Sequence, residues 1–305
     1  MKKALSFIVL ICMLLAIYPL TVSAEQQIET DKISSLTLQY RHGEEVFPDL
    51  MVYTYRVAQI SSAGDYILTG DFKQYPINID GIQSQSEWRR IATTFAAYIA
   101  ADHLAFTKSQ KTNEEGKVCF ENLLPGLYLT LSVRAEKDGI LTIFETFFTS
   151  IPYPGEDGNY LYDVLAYPKC ERHQIQPEER SYQVVKQWKD GSYSHLRPET
   201  VTVDILKDGV WQSSQILSSE NNWSYSWNAL DDGSKWQVVE RDIPERYTVS
   251  VEEFDLMIVI TNIYEHSDKP PQTGDVSMPH LYLLIISLLG IILILVAVWR
   301  KRAGI

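Results

Sequence analysis

Hydrophobic and polar residues alternate with a period of two along much of residues 34–173, which predicts short β-strands. Turn sequences separate several of these segments, for example Asn113-Glu-Glu-Gly116, Pro125-Gly126 and Asp157-Gly158. The predicted strands are Leu36–Tyr40, Met51–Val57, Lys117–Phe120, Leu127–Leu131, Leu141–Phe144 and Leu161–Tyr167.

One helix is predicted within this strand-rich region. Ser84 followed by Glu87 has the spacing of a capping box, in which each side chain bonds the other residue's backbone N–H. Trp88, Ile91 and Phe95 then recur on one helical face. We interpret this apolar face as core packing, so the helix is an insertion in a β domain.

A second strand-rich region covers residues 181–265 and contains five of the seven tryptophans. Its length and short strands fit an immunoglobulin-like sandwich. The polar, unpatterned residues before it place a linker at 174–180. The predicted fold is therefore all-β, with two tandem immunoglobulin-like sandwiches: a first module at 25–173 and a second module at 181–265. The predicted strands of the second module are Tyr182–Trp188, Val201–Lys207, Trp223–Trp227, Trp236–Glu240, Tyr247–Val251 and Met257–Tyr264.

The first 24 residues have the pattern of a secretory signal peptide. A basic start is followed by an apolar run and by small residues before Ala24, where we expect cleavage. An uncleaved membrane anchor is the alternative.

Residues 281–299 are apolar and, as a helix, are about 28 Å long, which is enough to span a membrane. The basic tail at 300–305 is expected to stay cytoplasmic, which places the two modules outside the cell.

Composition excludes several functions. The formal net charge of −12 argues against nucleic-acid binding, which needs a basic face. The six histidines show no metal-ligand spacing, and the chain contains neither a glycine-rich phosphate loop nor a nucleophile elbow. We therefore expect no cofactor, no metal and no enzymatic turnover.

The C-terminal region resembles the cell-wall sorting signal of Gram-positive surface proteins. Its pentapeptide is Pro270-Pro271-Gln272-Thr273-Gly274, with Pro270 where the family most often has leucine. The resemblance implies that a sortase cleaves between Thr273 and Gly274 and passes the threonyl carbonyl to an amine. The protein would then be membrane-anchored only before sorting, and afterwards attached to peptidoglycan or to a sister subunit. A plain single-span protein is the alternative.

The second module resembles the Cna protein B-type domain. The similarity rests on segments in the family's order: Val185-Lys-Gln-Trp188, Arg197-Pro-Glu-Thr-Val-Thr-Val203, Asn221-Asn-Trp-Ser-Tyr225, Val238-Val-Glu240 and Ile260-Thr-Asn-Ile-Tyr264. Members of this family often contain a spontaneous Lys–Asn isopeptide bond promoted by a buried acid. The resemblance assigns the amine to Lys186, the carboxamide to Asn262 and the acid to Glu240. The alternative is an ordinary salt bridge between Lys186 and Glu240, with Asn262 capping a turn.

The first module resembles the N-terminal domain of sortase-assembled pilins. Tyr160-Leu-Tyr-Asp-Val-Leu-Ala-Tyr-Pro-Lys169 is similar to the pilin motif, with Tyr160 in place of tryptophan and Ala166 in place of the second valine. The resemblance implies that Lys169 is the acceptor amine for Thr273 of another subunit. A surface lysine at a strand end is the alternative.

Two cysteines, Cys119 and Cys170, remain after signal cleavage and form a candidate disulfide, because extracellular proteins favour oxidised cysteines. The first module offers Gln39 and Arg41 on its first strand instead of a lysine, so no internal isopeptide bond is expected there.

The expected function is a wall-anchored structural pilin subunit polymerised through Lys169 and Thr273. The alternative is a monomeric wall-anchored adhesin or minor pilin that uses only Thr273. A host surface ligand is a further candidate partner that the residues do not identify.

Overall fold

The computed structural model describes residues 27–175 and 177–265. The signal peptide, the sorting motif at 270–274, the apolar segment at 281–299 and the basic tail all lie outside the described residues. Within the described part, no helix combines the length and apolar character needed to cross a membrane.

The first module is rich in strands, as its alternating pattern predicts. The strands are β1 (Ser34–Gln39), β2 (Arg41–His42), β3 (Glu45–Val46), β4 (Met51–Ile60), β5 (Tyr66–Leu68), β6 (Lys108–Lys111), β7 (Lys117–Leu123), β8 (Gly126–Ser132), β9 (Ala135–Lys137), β10 (Ile140–Phe144), β11 (Phe147–Ile151), β12 (Tyr153–Pro154), β13 (Tyr160–Leu161), β14 (Asp163–Ala166) and β15 (Cys170–Gln174). Strands β1, β7 and β14 form one sheet in the order β14-β1-β7, and β11, β8, β4 and β5 form another, with β6 also pairing with β4. Strands β15, β10 and β9 form a third sheet, and β2–β3 and β12–β13 are small two-stranded sheets.

The predicted helix is present as α1 (Gln85–Asp102), and its capping box is confirmed. The Ser84 hydroxyl accepts from the Glu87 backbone N–H, and the Glu87 carboxylate accepts from the Ser84 backbone N–H at 3.0 Å. The residue after the helix, His103, is its C-cap and takes a left-handed conformation with φ of 52°. A shorter 3₁₀ helix, Gly70–Gln74, precedes it.

The second module contains two sheets. Their strands are β16 (Glu179–Lys189), β17 (Thr200–Lys207), β18 (Val210–Ser218), β19 (Ser224–Leu230), β20 (Trp236–Arg241), β21 (Tyr247–Phe254) and β22 (Met257–Tyr264). The first sheet has the strand order β19-β16-β22-β21, in which β16 and β22 run parallel, and the second sheet has the order β18-β17-β20. Two 3₁₀ turns, Gly191–Leu196 and Ser219–Asn221, connect them.

The structure corrects the sequence prediction at the linker and at several strands. Strand β15 extends to Gln174 and β16 begins at Glu179, so the connection is shorter than the linker predicted at 174–180. Pairing with β10 explains the difference, because backbone hydrogen bonds make a strand of residues whose side chains are almost all exposed. Strand β18 was not predicted, since its mostly exposed side chains give no apolar alternation. Strands β5, β6, β9 and β11 of the first module were also missed.

The two modules share part of their hydrophobic core. One buried cluster includes Phe95 and Tyr98 of α1 together with Val203, Val238 and Ile260 of the second module. A second cluster, around Leu36, Tyr128 and Phe144, lies within the first module. By their internal contacts the residues up to Tyr264 form one compact unit, so the division into two separate tandem domains stays a prediction.

A buried lysine, acid and asparagine in the second module

Side chains of β16 point alternately into the sandwich and toward solvent, and one of the inward positions is a lysine. Tyr182, Val184 and Lys186 occupy successive inward positions, and all three residues are buried. The Lys186 side chain has no exposed area. A lysine is almost never fully buried unless it is paired, so this position calls for a partner.

The partner is Glu240, from the facing sheet. Its side chain is also fully buried, and Oε2 lies 3.3 Å from Nζ of Lys186. Glu240 belongs to β20, whereas Lys186 belongs to β16, so the acid reaches the amine across the interior of the sandwich.

Asn262 completes the cluster from β22, which is hydrogen-bonded in parallel to β16. Its Nδ2 donates to Oε1 of Glu240 at 2.8 Å, and the residue has no exposed area. Its carboxamide oxygen has no hydrogen-bond partner within the described part of the chain. A buried carbonyl without a donor is unusual enough to require an explanation. The structure thus brings together all three residues assigned by the resemblance, and Asn262 lies within a strand instead of capping a turn.

The surroundings of Lys186 are aromatic. Its Nζ lies 4.2 Å from the centre of the Trp188 ring, and Trp188 packs edge-on against Trp223 and Tyr247. Besides its contact with Glu240, Nζ donates to the backbone oxygen of Gln187 at 3.2 Å. The ammonium ion is therefore poorly solvated here.

Burial moves both ionisable groups toward their neutral forms. Desolvation lowers the pKa of Lys186, and the attraction of Glu240 only partly opposes this shift. Desolvation also raises the pKa of Glu240 against the influence of Lys186. A neutral amine is a nucleophile and a neutral carboxyl is a proton donor, so the pocket favours the reactive form of each group.

A second buried acid lies at the end of β16 and was missed by the sequence analysis. Asp190 is 3% exposed and accepts two hydrogen bonds from the Arg197 guanidinium, at 2.6 and 2.8 Å. The Tyr247 hydroxyl donates to the same carboxylate at 3.2 Å. The hydrogen bonds from Arg197 lower the pKa of Asp190. The ion pair between Asp190 and Arg197 joins the two ends of the 3₁₀ turn that follows β16. The sequence offered only an Asp-Gly turn after a strand, which does not indicate a buried acid.

Lys169 lies elsewhere, in the first module. It is exposed and follows the buried Pro168, and its backbone oxygen accepts from the N–H of Glu145 at 2.8 Å. The backbone at Lys169 is therefore fixed while its side chain is accessible.

The candidate disulfide between Cys119 and Cys170 is not present, because both cysteines are free. Cys119 lies on β7, where its sulfur accepts from the Thr37 hydroxyl at 3.4 Å. Cys170 lies on β15, in a different sheet, with its sulfur 3.5 Å from Nδ1 of His42. The two sulfur atoms therefore contact different residues, Thr37 and His42, and the predicted disulfide is wrong for this structure.

The described residues also include no group of three or more histidine, cysteine or acidic side chains suited to holding a metal ion.

The strands and the buried cluster define a class: an immunoglobulin-like sandwich with a lysine, an asparagine and an acid in its core. Residues 182–263 match the family model of the Cna protein B-type domain. The second module is therefore a Cna protein B-type domain, and the resemblance found in its sequence is confirmed.

A curated relative and several solved structures are similar to the chain. A collagen adhesin from Staphylococcus aureus is 31% identical over 109 residues, which cover 33% of this chain and 9% of the adhesin. The chain thus spans only a small part of that relative.

Among solved structures, a single B repeat unit of the collagen-binding surface protein of S. aureus has 16% identity and a TM-score of 0.28, covering 77% of this chain and all of that one. The full-length major pilin SpaD of Corynebacterium diphtheriae has 12% identity and a TM-score of 0.30, covering 79% of this chain and all of that one.

Proposed function

We propose that this protein is a wall-anchored pilin subunit whose second module cross-links itself through an isopeptide bond between Lys186 and Asn262. The observation that carries the proposal is the fully buried contact of Glu240 with both residues, at 3.3 Å from the amine and 2.8 Å from the carboxamide nitrogen. The match to the Cna protein B-type domain supports it.

The proposed reaction follows from the contacts of Glu240. The lone pair of Lys186 Nζ attacks Cγ of Asn262, forming a C–N bond. Glu240 donates its proton to Nδ2, which it already contacts, and the bond between Cγ and Nδ2 breaks to release ammonia. Glu240 then recovers the surplus proton of the amine. The acid is regenerated, but the single turnover consumes Lys186 and Asn262, so the module is not an enzyme.

Intact-mass measurement tests the cross-link. We expect the secreted protein to be lighter by one ammonia than the mass calculated for its processed chain, and we expect Glu240→Ala and Asn262→Ala to have the full calculated mass of theirs. Asn228→Ala is the matched control, because Asn228 is an exposed asparagine on the neighbouring strand β19. A wild-type mass without the loss of ammonia would refute the cross-link.

Polymerisation is proposed to join Lys169 of one subunit to Thr273 of the next through a sortase. The exposed side chain of Lys169 on a fixed backbone supports this role.

The sorting pattern in the sequence supports attachment of the protein to the cell wall. A collagen-like host ligand is a candidate partner, because the curated relative is named a collagen adhesin.

Wall extracts boiled in detergent test the polymer. We expect a series of multimers that Lys169→Ala abolishes and Lys117→Ala, at another exposed lysine of the first module, leaves intact. A single band from the unmodified strain would instead support a monomeric wall-anchored adhesin or minor pilin.

A further inference from the structure

Helix α1 of the first module lies across an open side of the second module. Strand β20 is at one edge of its sheet, and β21 is at one edge of the facing sheet. Phe95 and Tyr98 of the helix are buried in the same cluster as Val238 of β20 and Val251 of β21. The helix therefore covers the seam between the two edge strands, one of which carries Glu240.

The helix also supplies the hydrogen-bond partners that edge strands lack. The Tyr98 hydroxyl donates to the backbone oxygen of Glu240 at 2.9 Å. The Thr94 hydroxyl accepts from the backbone N–H of Val251 at 2.8 Å, and the side chain of Gln237 donates to the backbone oxygen of Ala96 at 3.3 Å. Thr94, Tyr98 and Gln237 are all buried. An unpaired backbone group at such a buried edge would be costly, so these contacts hold the edges in place.

A polar cluster at the end of the helix adds to the same attachment. Arg241, the residue after Glu240, donates to Asp102 of the helix and to Asp204 of β17, at 2.7 Å in each case. The Tyr75 hydroxyl donates to the other oxygen of Asp102 at 2.6 Å. The strand that carries the acid is thus fixed at two successive residues by groups of the first module.

We propose that helix α1 is a positioning element for the cross-linking reaction, with Tyr98 and Thr94 as positioning residues that hold the seam closed around Glu240. This inference rests on the proposed isopeptide function and adds that the first module must be folded and docked before the second can cross-link.

The physical reason is the position of Glu240 on an edge strand. Strand β20 pairs with β17 on one side only, with Glu240 opposite Val203. When the other side opens, water reaches the carboxyl group, which favours its charged form and removes the proton that ammonia release requires. Opening also moves the acid from the Asn262 nitrogen, and small displacements of reacting groups slow catalysis strongly. Tyr98 acts through the backbone of Glu240 and touches none of the reacting atoms itself.

The test follows cross-linking in time. The full chain is synthesised in a cell-free reaction with detergent, and the fraction that has lost ammonia is measured by intact mass at successive times. We expect Tyr98→Phe and Thr94→Val to slow the reaction about fivefold to tenfold, as for the loss of one buried hydrogen bond. Thr94→Ser keeps the hydroxyl and should restore the wild-type rate.

Tyr128→Phe is the matched control. Its hydroxyl also donates to a backbone oxygen, that of Leu124 at 2.6 Å, but this contact lies within the first module. We expect this variant to react at the wild-type rate. Each substitution is also placed in the Glu240→Ala background, which cannot react, and its unfolding temperature is measured there. Reaction temperatures well below that value keep the folded fraction equal, so a purely structural role would leave the rates unchanged.

The outcomes separate the two proposals. Loss of ammonia at one rate in all variants would overturn the positioning role and leave the cross-link standing. No loss of ammonia in the wild type would overturn the cross-link itself. If Tyr98→Phe fails to fold, the comparison of Thr94→Val with Thr94→Ser decides.

Discussion

Replacing Lys186 by methionine should lower the unfolding temperature by about 10–18 °C. Methionine keeps the apolar stem of lysine and removes the amine, so no cross-link forms and no unpaired ammonium is buried. Glu240 can remain neutral, because burial already raises its pKa, and it keeps its contact with Asn262.

The magnitude follows from the chain that the bond would close. The loop from Lys186 to Asn262 contains about 75 residues, and closing it in the unfolded state is worth about 4.5 kcal/mol in the chain-entropy description of cross-links. For a unit of about 240 described residues, each kcal/mol shifts the unfolding temperature by about 2–4 °C. In the cross-linked wild type Lys186 is part of an amide, so the substitution breaks no ion pair, and the closed loop accounts for most of the difference in stability.

Scanning calorimetry at pH 7, with intact mass measured on the same samples, makes the comparison. Lys189→Met is the control, because Lys189 is an exposed lysine on the same strand, and its unfolding temperature should match that of the wild type. A wild type that has lost ammonia but unfolds within about 2 °C of Lys186→Met would refute the chain-entropy argument.

Three further predictions concern pH, the second buried acid and the helix. The cross-linking rate should be constant near neutral pH, because the neutral amine–acid pair holds the same number of protons as the ion pair and the ratio of these two forms does not change with pH. The rate should fall at low pH, where Lys186 and Glu240 together gain a proton, and at high pH, where they lose one. A rate that rose steadily to pH 11 would contradict this. Asp190→Asn should cost about 1–3 kcal/mol in the free energy of unfolding at pH 7. Because Arg197 lowers the pKa of Asp190, this contribution is present above the ordinary carboxyl pKa and is lost as pH falls through the lowered value, so denaturant titrations of variant and wild type should converge at pH values below the lowered pKa. Phe95→Ala should cost about 3–5 kcal/mol and should weaken both modules, seen as one shifted transition in calorimetry; a change confined to one of two transitions would show that the modules unfold independently.

The sequence predicted the strands well where one face is buried. Tyr182, Val184 and Lys186 lie at alternate residues of β16 and are all buried, so the inward position of Lys186 agrees with the period of the strand, although its role was assigned through the family resemblance. Strand β18 was not predicted, because its mostly exposed side chains show no alternation of apolar and polar residues. Its backbone pairing with β17 stabilises it as a strand.

Other features depend on tertiary contacts that no local pattern encodes. The apolar face of α1 indicated burial, but an amphipathic helix does not specify which sheet it covers, and here it covers the edges of the second module. Asp190 and Arg197 are ordinary residues of a turn until the fold places the turn against Tyr247. Sequence spacing likewise could not show that Cys119 and Cys170 belong to different sheets.

The parallel pairing of β16 with β22 has a consequence for a fibre under tension. If subunits are joined at Lys169 and Thr273, pulling would enter at Lys169, follow β15 and β16 to Lys186, cross the isopeptide bond to Asn262 and leave toward Thr273. That route contains about thirty residues of the chain. Residues 187–261 and the part of the first module before Lys169 would carry no tension. Their thermal opening and closing would therefore leave the length of the fibre unchanged.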